Sequence, residues 1–157
     1  MRQLIKKILR EELLQEKFKV GEDEYIKLYG EEKTDDFLLV VPLTHNASCK
    51  YGASTKWCTT STNDDEDFKN HIGLGVLAYI IVRDERLAER LNNRKFALYR
   101  LFTDGPGRTI VFDELNNEYK NGEEWLSNEF DKVDELSEYF KIMRRFNDYF
   151  DIKKSYH

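Results

Sequence analysis

The sequence predicts an α+β fold in one domain spanning residues 1–157, on three observations. First, Phe37–Val41 and Val76–Val82 are uninterrupted apolar runs with the length and aliphatic content of strands covered on both faces. Second, residues 95–113 alternate apolar and polar side chains on either side of TDGPG, a turn sequence that forms a β-hairpin. Third, sustained helical periodicity is confined to the two ends of the chain. Together these give a mostly antiparallel or mixed sheet of about five to six strands, with an N-terminal helix and C-terminal helices packed on it.

In order along the chain, Leu4, Ile5, Ile8, Leu9, Leu13 and Leu14 recur at helical spacing among charged residues, so residues 3–16 read as an amphipathic helix. Phe18–Val20 and Tyr25–Tyr29 read as short strands divided by Gly21, and the acidic run Glu31, Glu32, Asp35, Asp36 as a solvated loop. The buried strand from Phe37 stops at Pro42. Thr44 is a good N-cap and Gly52 a good terminator for a two-turn helix over His45–Tyr51. Thr55–Thr60 then alternates like a strand, which sends Trp57 and Cys58 to opposite sides, one of them toward the core.

Asn63–Asp67 reads as a polar loop capping a short helix that carries Phe68 and His71 and is closed by Gly73 and Gly75. Residues 83–93 read as a surface excursion with a helical turn or two. Asn116 and Asn117 predict a further turn, with a short return near Tyr119. Residues 122–130 and 132–153 are helical by period. The second stripe is marked by Val133, Leu136, Tyr139 or Phe140, Met143, Phe146 or Asn147, and Phe150.

Composition narrows the function classes. With 30 acidic against 25 basic residues the formal charge is −5, which disfavours a protein that coats nucleic acid, because phosphate neutralisation needs clustered Lys and Arg. No apolar run approaches the roughly 20 residues of a membrane-crossing helix, and charge interrupts the N-terminal segment, so neither a membrane nor a secretion assignment follows. The two cysteines, Cys49 and Cys58, without a leader-like segment, suit reduced thiols in a cytoplasm.

The chemistry-bearing residues concentrate in Pro42–Ser61, PLTHNASCKYGASTKWCTTS. A thiol site would use Cys58 as nucleophile and His71 as base, with Lys56 or Thr55 holding an anion, because a reactive cysteine needs thiolate character from a base or a positive charge. A zinc-stabilised alternative would use His45, Cys49, Cys58 and His71, spaced H-x3-C-x8-C-x12-H, with the first two one helical turn apart. No other cofactor is expected. Gly52, Ser54, Thr55 and Lys56 could form an anion nest, although the loop lacks the second glycine of a Walker A sequence. Trp57, Thr59 and Thr60 complete the candidate ligand-binding set.

The segment KYGASTKWCTTS, followed by Phe68 and the strand Val76–Val82, resembles uncharacterised small proteins of tailed bacteriophages and their prophage relatives. These carry a G-x-x-T-x-W-C-[TS] core, matched here by Gly52, Thr55, Trp57, Cys58 and Thr59. A looser likeness is to the PcfJ group of conjugative elements. The resemblance covers about residues 38–113 and leaves the terminal helices outside it. It implies a phage-type origin and no mechanism; the leading reading is an accessory protein in the cytoplasm of a bacterial host whose pocket, around Gly52–Ser61 and His71, binds a protein partner or a small anionic, nucleotide-like ligand. A purely structural interaction module, with contacts made by the terminal helices, is the remaining class.

Overall fold

In the computed structural model, residues 19–60 and 64–157 are described. The helix expected over 3–16, Phe18 and Ser61 lie outside them. Six strands form a single sheet: β1 Tyr25–Tyr29, β2 Phe37–Pro42, β3 Gly75–Val82, β4 Lys95–Leu101, β5 Ile110–Phe112 and β6 Glu118–Tyr119. Spatial order follows chain order and every neighbouring pair is antiparallel, so the sheet is a meander. Around it lie α1 His45–Tyr51, α2 Glu66–Leu74, α3 Glu85–Leu91, α4 Gly122–Lys132 and α5 Leu136–Ser155.

Register explains the two-sided burial that the apolar runs predict. Val40 faces Tyr79, which faces Ala97, which faces Phe112. Successive residues of a strand point to opposite faces, so this row and its alternates form one side of the sheet and the residues between them form the other. Phe37, Leu39, Ile80, Phe96 and Leu98 pack beneath α4 and α5 against Phe130, Ile142, Phe146 and Phe150. Leu38, Val40, Leu77, Tyr79 and Ala97 pack beneath α1, α2 and the segment between them, against Ala47, Tyr51, Trp57 and Phe68. Every residue of β2 and β3 is buried. At roughly 1.5–3 kcal/mol per fully buried large apolar side chain, both layers are needed to fix the sheet.

Local signals set most boundaries. The Thr44 side chain accepts a hydrogen bond from the Ala47 amide and α1 ends at Gly52. Asp84 caps α3 in the same way, and Asn92 ends it in the left-handed conformation at φ 53°. α5 begins after Asp134, whose φ of 58° breaks the helical path a few residues beyond the expected Phe130–Lys132 boundary. Of the alternatives in its stripe, Tyr139 and Phe146 turn inward and Phe140 is exposed.

Two strand expectations are corrected. Lys19 and Val20 are not in a strand. Thr55–Thr60 is not a strand either: it is a loop that closes in a 3-10 turn over Cys58–Thr60. Its threonine hydroxyls bond the loop's own backbone, offering the chain an alternative to a sheet ladder.

Candidate functional site

The segment Gly52–Thr60 lies flat on the sheet face that carries Tyr79, and its hydroxyls and indole are engaged internally. Thr55 Oγ1 donates to the Gly52 carbonyl at 2.7 Å, and Thr60 Oγ1 donates to the Trp57 carbonyl at 2.8 Å. Trp57 is only 5% exposed, packs on the Tyr79 ring at 4.7 Å between centroids, and donates Nε1–H to the Asp113 carbonyl at 2.7 Å. The question left by the alternation is therefore answered: Trp57 faces the core and Cys58 is exposed.

Below the indole, three buried hydroxyl-bearing residues close a ring whose proton order follows from donor counting. Ser48 Oγ donates to the Thr59 carbonyl at 2.7 Å, so it has only acceptor capacity left for Tyr79 Oη, also at 2.7 Å. The Tyr79 proton thus goes to Ser48, and Tyr79 accepts from Thr59 Oγ1 at 2.7 Å. Burial raises the Tyr79 phenol well above its ordinary range. Tyr79 is the one residue with a side-chain polar group in the apolar run Val76–Val82, and that was the legible signal of a polar network beneath the motif.

From behind, β4 and the β5–β6 connection hold the segment. Lys95, fully buried, donates Nζ–H to the Ala53 carbonyl at 2.8 Å, and the Lys56 amide donates to the Glu114 carbonyl at 3.0 Å. The anion nest is consequently not formed. Its amides at Thr55 and Lys56 are bonded to the Gly52 and Glu114 carbonyls, and Ser54, at φ 67°, buries its hydroxyl.

The other sequence candidates separate into two places. His45 Nε2 and Cys49 Sγ meet at 3.3 Å across one turn of α1, and Cys49 Sγ also reaches the Thr60 carbonyl at 3.6 Å. His71 lies on α2 with its ring edge-on to Tyr99 at 5.1 Å. Its Nδ1 is 2.7 Å from the Asp67 carbonyl, which can only accept, so Nδ1 carries the proton. Among the described residues no group of three or more His, Cys, Asp and Glu is placed to hold a metal ion, so the four-residue zinc set is not brought together. α1 directs one pair onto the turn, while α2 turns His71 onto Tyr99.

Although the residue is exposed, partial desolvation of its thiol raises Cys58 above its usual value and the Asp67 carboxylate raises it further. Cys49 is raised by burial. A raised pKa leaves less thiolate at neutral pH, so iodoacetamide should label Cys58 of the folded protein more slowly than a free peptide thiol. Its rate should climb as the pH is taken above the ordinary thiol range, and Cys49 should label only on unfolding. Mass analysis of labelling against pH checks this; Cys58 labelling faster than the peptide at pH 7 would show an activated thiol instead.

Beside this motif, α2 borders a feature that the sequence reading passed over. A groove of about 450 Å³ opens at the end of the sheet, bounded by Pro42 and Leu43 on one side, Ile72 and Gly73 of α2, and Phe102 and Tyr149 opposite. Leu74, next to its floor, is 62% exposed, and Leu43 is 39% exposed. An apolar residue set between Gly73 and Gly75 was the available signal. No helix among the described residues is long and apolar enough to cross a membrane.

Fold and site define a class: an antiparallel meander covered on both faces, with a tryptophan-anchored turn locked onto it and an apolar groove alongside. No family model, no curated protein and no solved structure matches the chain.

Proposed function

We propose that this chain is an accessory binding protein of the phage type that its motif resembles, acting in the cytoplasm of a bacterial host and holding a protein partner by apolar side chains in the groove beside α2. One observation carries the reading: an apolar groove lined by Leu43, Ile72, Phe102 and Tyr149, with Leu43 exposed and with Leu74 exposed between the lining residues Gly73 and Gly75. Clustered exposed apolar surface around a concavity is typical of interaction sites, whereas single exposed leucines need no explanation. The motif's part is constructive. With Trp57, Thr55, Thr59 and Thr60 engaged internally, it fixes α1 and α2 on the sheet and so shapes the groove wall. Binding is favoured over catalysis by Cys58 because partial desolvation of the thiol and the Asp67 carboxylate both oppose its thiolate.

The test is co-purification from the host, comparing wild type with Leu43→Glu/Leu74→Glu and with Cys58→Ser/His71→Ala. One stoichiometric partner should be kept by wild type and by the second pair, and its recovery should fall by about tenfold or more in the first pair, the scale of one or two buried apolar contacts. Retention of the partner by the Leu43→Glu/Leu74→Glu protein, folded as judged by circular dichroism, would sink the groove reading. Loss in the Cys58→Ser/His71→Ala protein would return the function to the motif.

A further inference from the structure

A second concavity lies on the opposite face of the sheet, at its β1 edge. It is lined by Tyr29 of β1 and by Lys141, Arg144, Arg145 and Asp148 of α5, and holds about 430 Å³. Three cations and one carboxylate line it, in a chain of formal charge −5, while the carboxylates of Glu138 and Asp35 act on Tyr29 from beside it. Their spacing places Lys141 and Arg145 four apart on the face of α5 above β1, with Arg144 beside them. All three are exposed, and among the described residues no hydrogen bond or ion pair engages their side chains.

The edge strand is shaped to this hollow. Pairing of β1 with β2 shifts register between Lys27 and Tyr29, so that Tyr29 opposes Leu39, a residue of the α5 face. Without that bulge Tyr29 would oppose Leu38 and point to the other side of the sheet. The bulge therefore turns the phenol beneath α5, where it donates to the Glu138 carboxylate. The charges of Glu138 and Asp35 act on the phenol, and Arg145 lies close enough for its charge to act in the opposite sense. Such bulges are common beside functional sites, where they re-aim a side chain.

We propose that this hollow is a binding site for a small ligand bearing several phosphate charges, of the size of a nucleoside polyphosphate. Guanidinium groups one turn from an ammonium suit such a ligand, since Arg binds phosphate oxygens in a fork and Lys adds a point charge. The volume exceeds what one inorganic phosphate fills, and Tyr29 gives the hollow an aromatic wall. The site shares no residue with the groove beside α2 and stands or falls separately from it.

Isothermal titration of the full chain with tripolyphosphate tests the proposal. Saturable binding at one site per chain is expected, weakened by about tenfold or more in Arg144→Gln/Arg145→Gln and by less than about twofold in Lys120→Gln/Lys132→Gln. Both pairs are on the surface, and unchanged thermal midpoints would certify their folds. Absence of saturable binding overturns the site. Equal weakening by the two pairs overturns it too, by showing diffuse attraction. A short oligothymidylate binding about tenfold more tightly than tripolyphosphate would assign the face to a nucleic-acid strand and overturn the small-ligand assignment.

Discussion

Replacing Trp57 with alanine should destabilise the protein by about 3–5 kcal/mol, the range for truncating a buried aromatic. In a chain of this length that corresponds to a fall in thermal midpoint of roughly 6–20 °C. The indole is almost fully enclosed, covers the Tyr79 ring and donates to the Asp113 carbonyl, so truncation opens a void and removes one of the two hydrogen bonds that this carbonyl accepts, the other coming from the Asn116 amide. It also unroofs the ring formed by Ser48, Thr59 and Tyr79. Trp57→Phe, which keeps an aromatic body but loses the N–H while the Asn116 amide still serves the Asp113 carbonyl, should cost about 0.5–1.5 kcal/mol. Denaturant titration of both variants measures the two parts. A cost below about 1 kcal/mol for Trp57→Ala would mean that the segment can leave the sheet without loss, and that it does not anchor α1 and α2.

Gly52→Ala should cost about 2–3 kcal/mol, the upper part of the range for overpacking. Gly52 has φ −94°, which alanine adopts freely, so the penalty is steric. A Cβ there would stand 2.3 Å from Thr60 Cγ2, 2.8 Å from the Ser48 carbonyl oxygen and 3.3 Å from the Trp57 ring. The carbonyl belongs to α1 and can move only with the helix. Thr60→Ser deletes the nearest atom while keeping the hydroxyl that bonds the Trp57 carbonyl, so it should recover part of the loss in the double variant. If the double variant is no more stable than the sum of the single changes predicts, the crowding is not where the geometry puts it.

These two positions show what could be read along the chain. Thr44, Gly52, Asp84 and the TDGPG turn act within a few residues of themselves, and each sets the boundary that its local chemistry implies. Strands β2 and β3 announced two covered faces because neither run contains a position that water must reach. The WC segment misled for the opposite reason. Its alternation of Thr55, Trp57 and Thr59 has strand period, yet a strand needs a neighbour with which to pair. The Thr55 and Thr60 hydroxyls supply local acceptors and donors that make the turn self-sufficient.

The candidate site was legible as a location and not as a role. Periodicity could place His45 and Cys49 on one face of α1, and they do meet. It could not tell that His71, on another helix, would turn its ring onto Tyr99, because that depends on how α2 crosses the sheet. The groove beside α2 draws on residues far apart in the chain, from Val41 to His157, and no local pattern joins them. The hollow under α5 depends on a bulge, and one extra residue in a strand has no distinctive composition.

By itself the sequence determined the α+β class, the two-faced sheet, the hairpin and most helix ends, since these follow from solvent periodicity and from chemistry acting over one turn. Only the tertiary structure decided that Trp57 is inward and Cys58 outward, that the motif hydroxyls are engaged within the fold, and that Tyr29 faces the cations of α5. Those outcomes depend on which distant atoms complete a hydrogen bond or fill a space, and that is fixed when the layers pack.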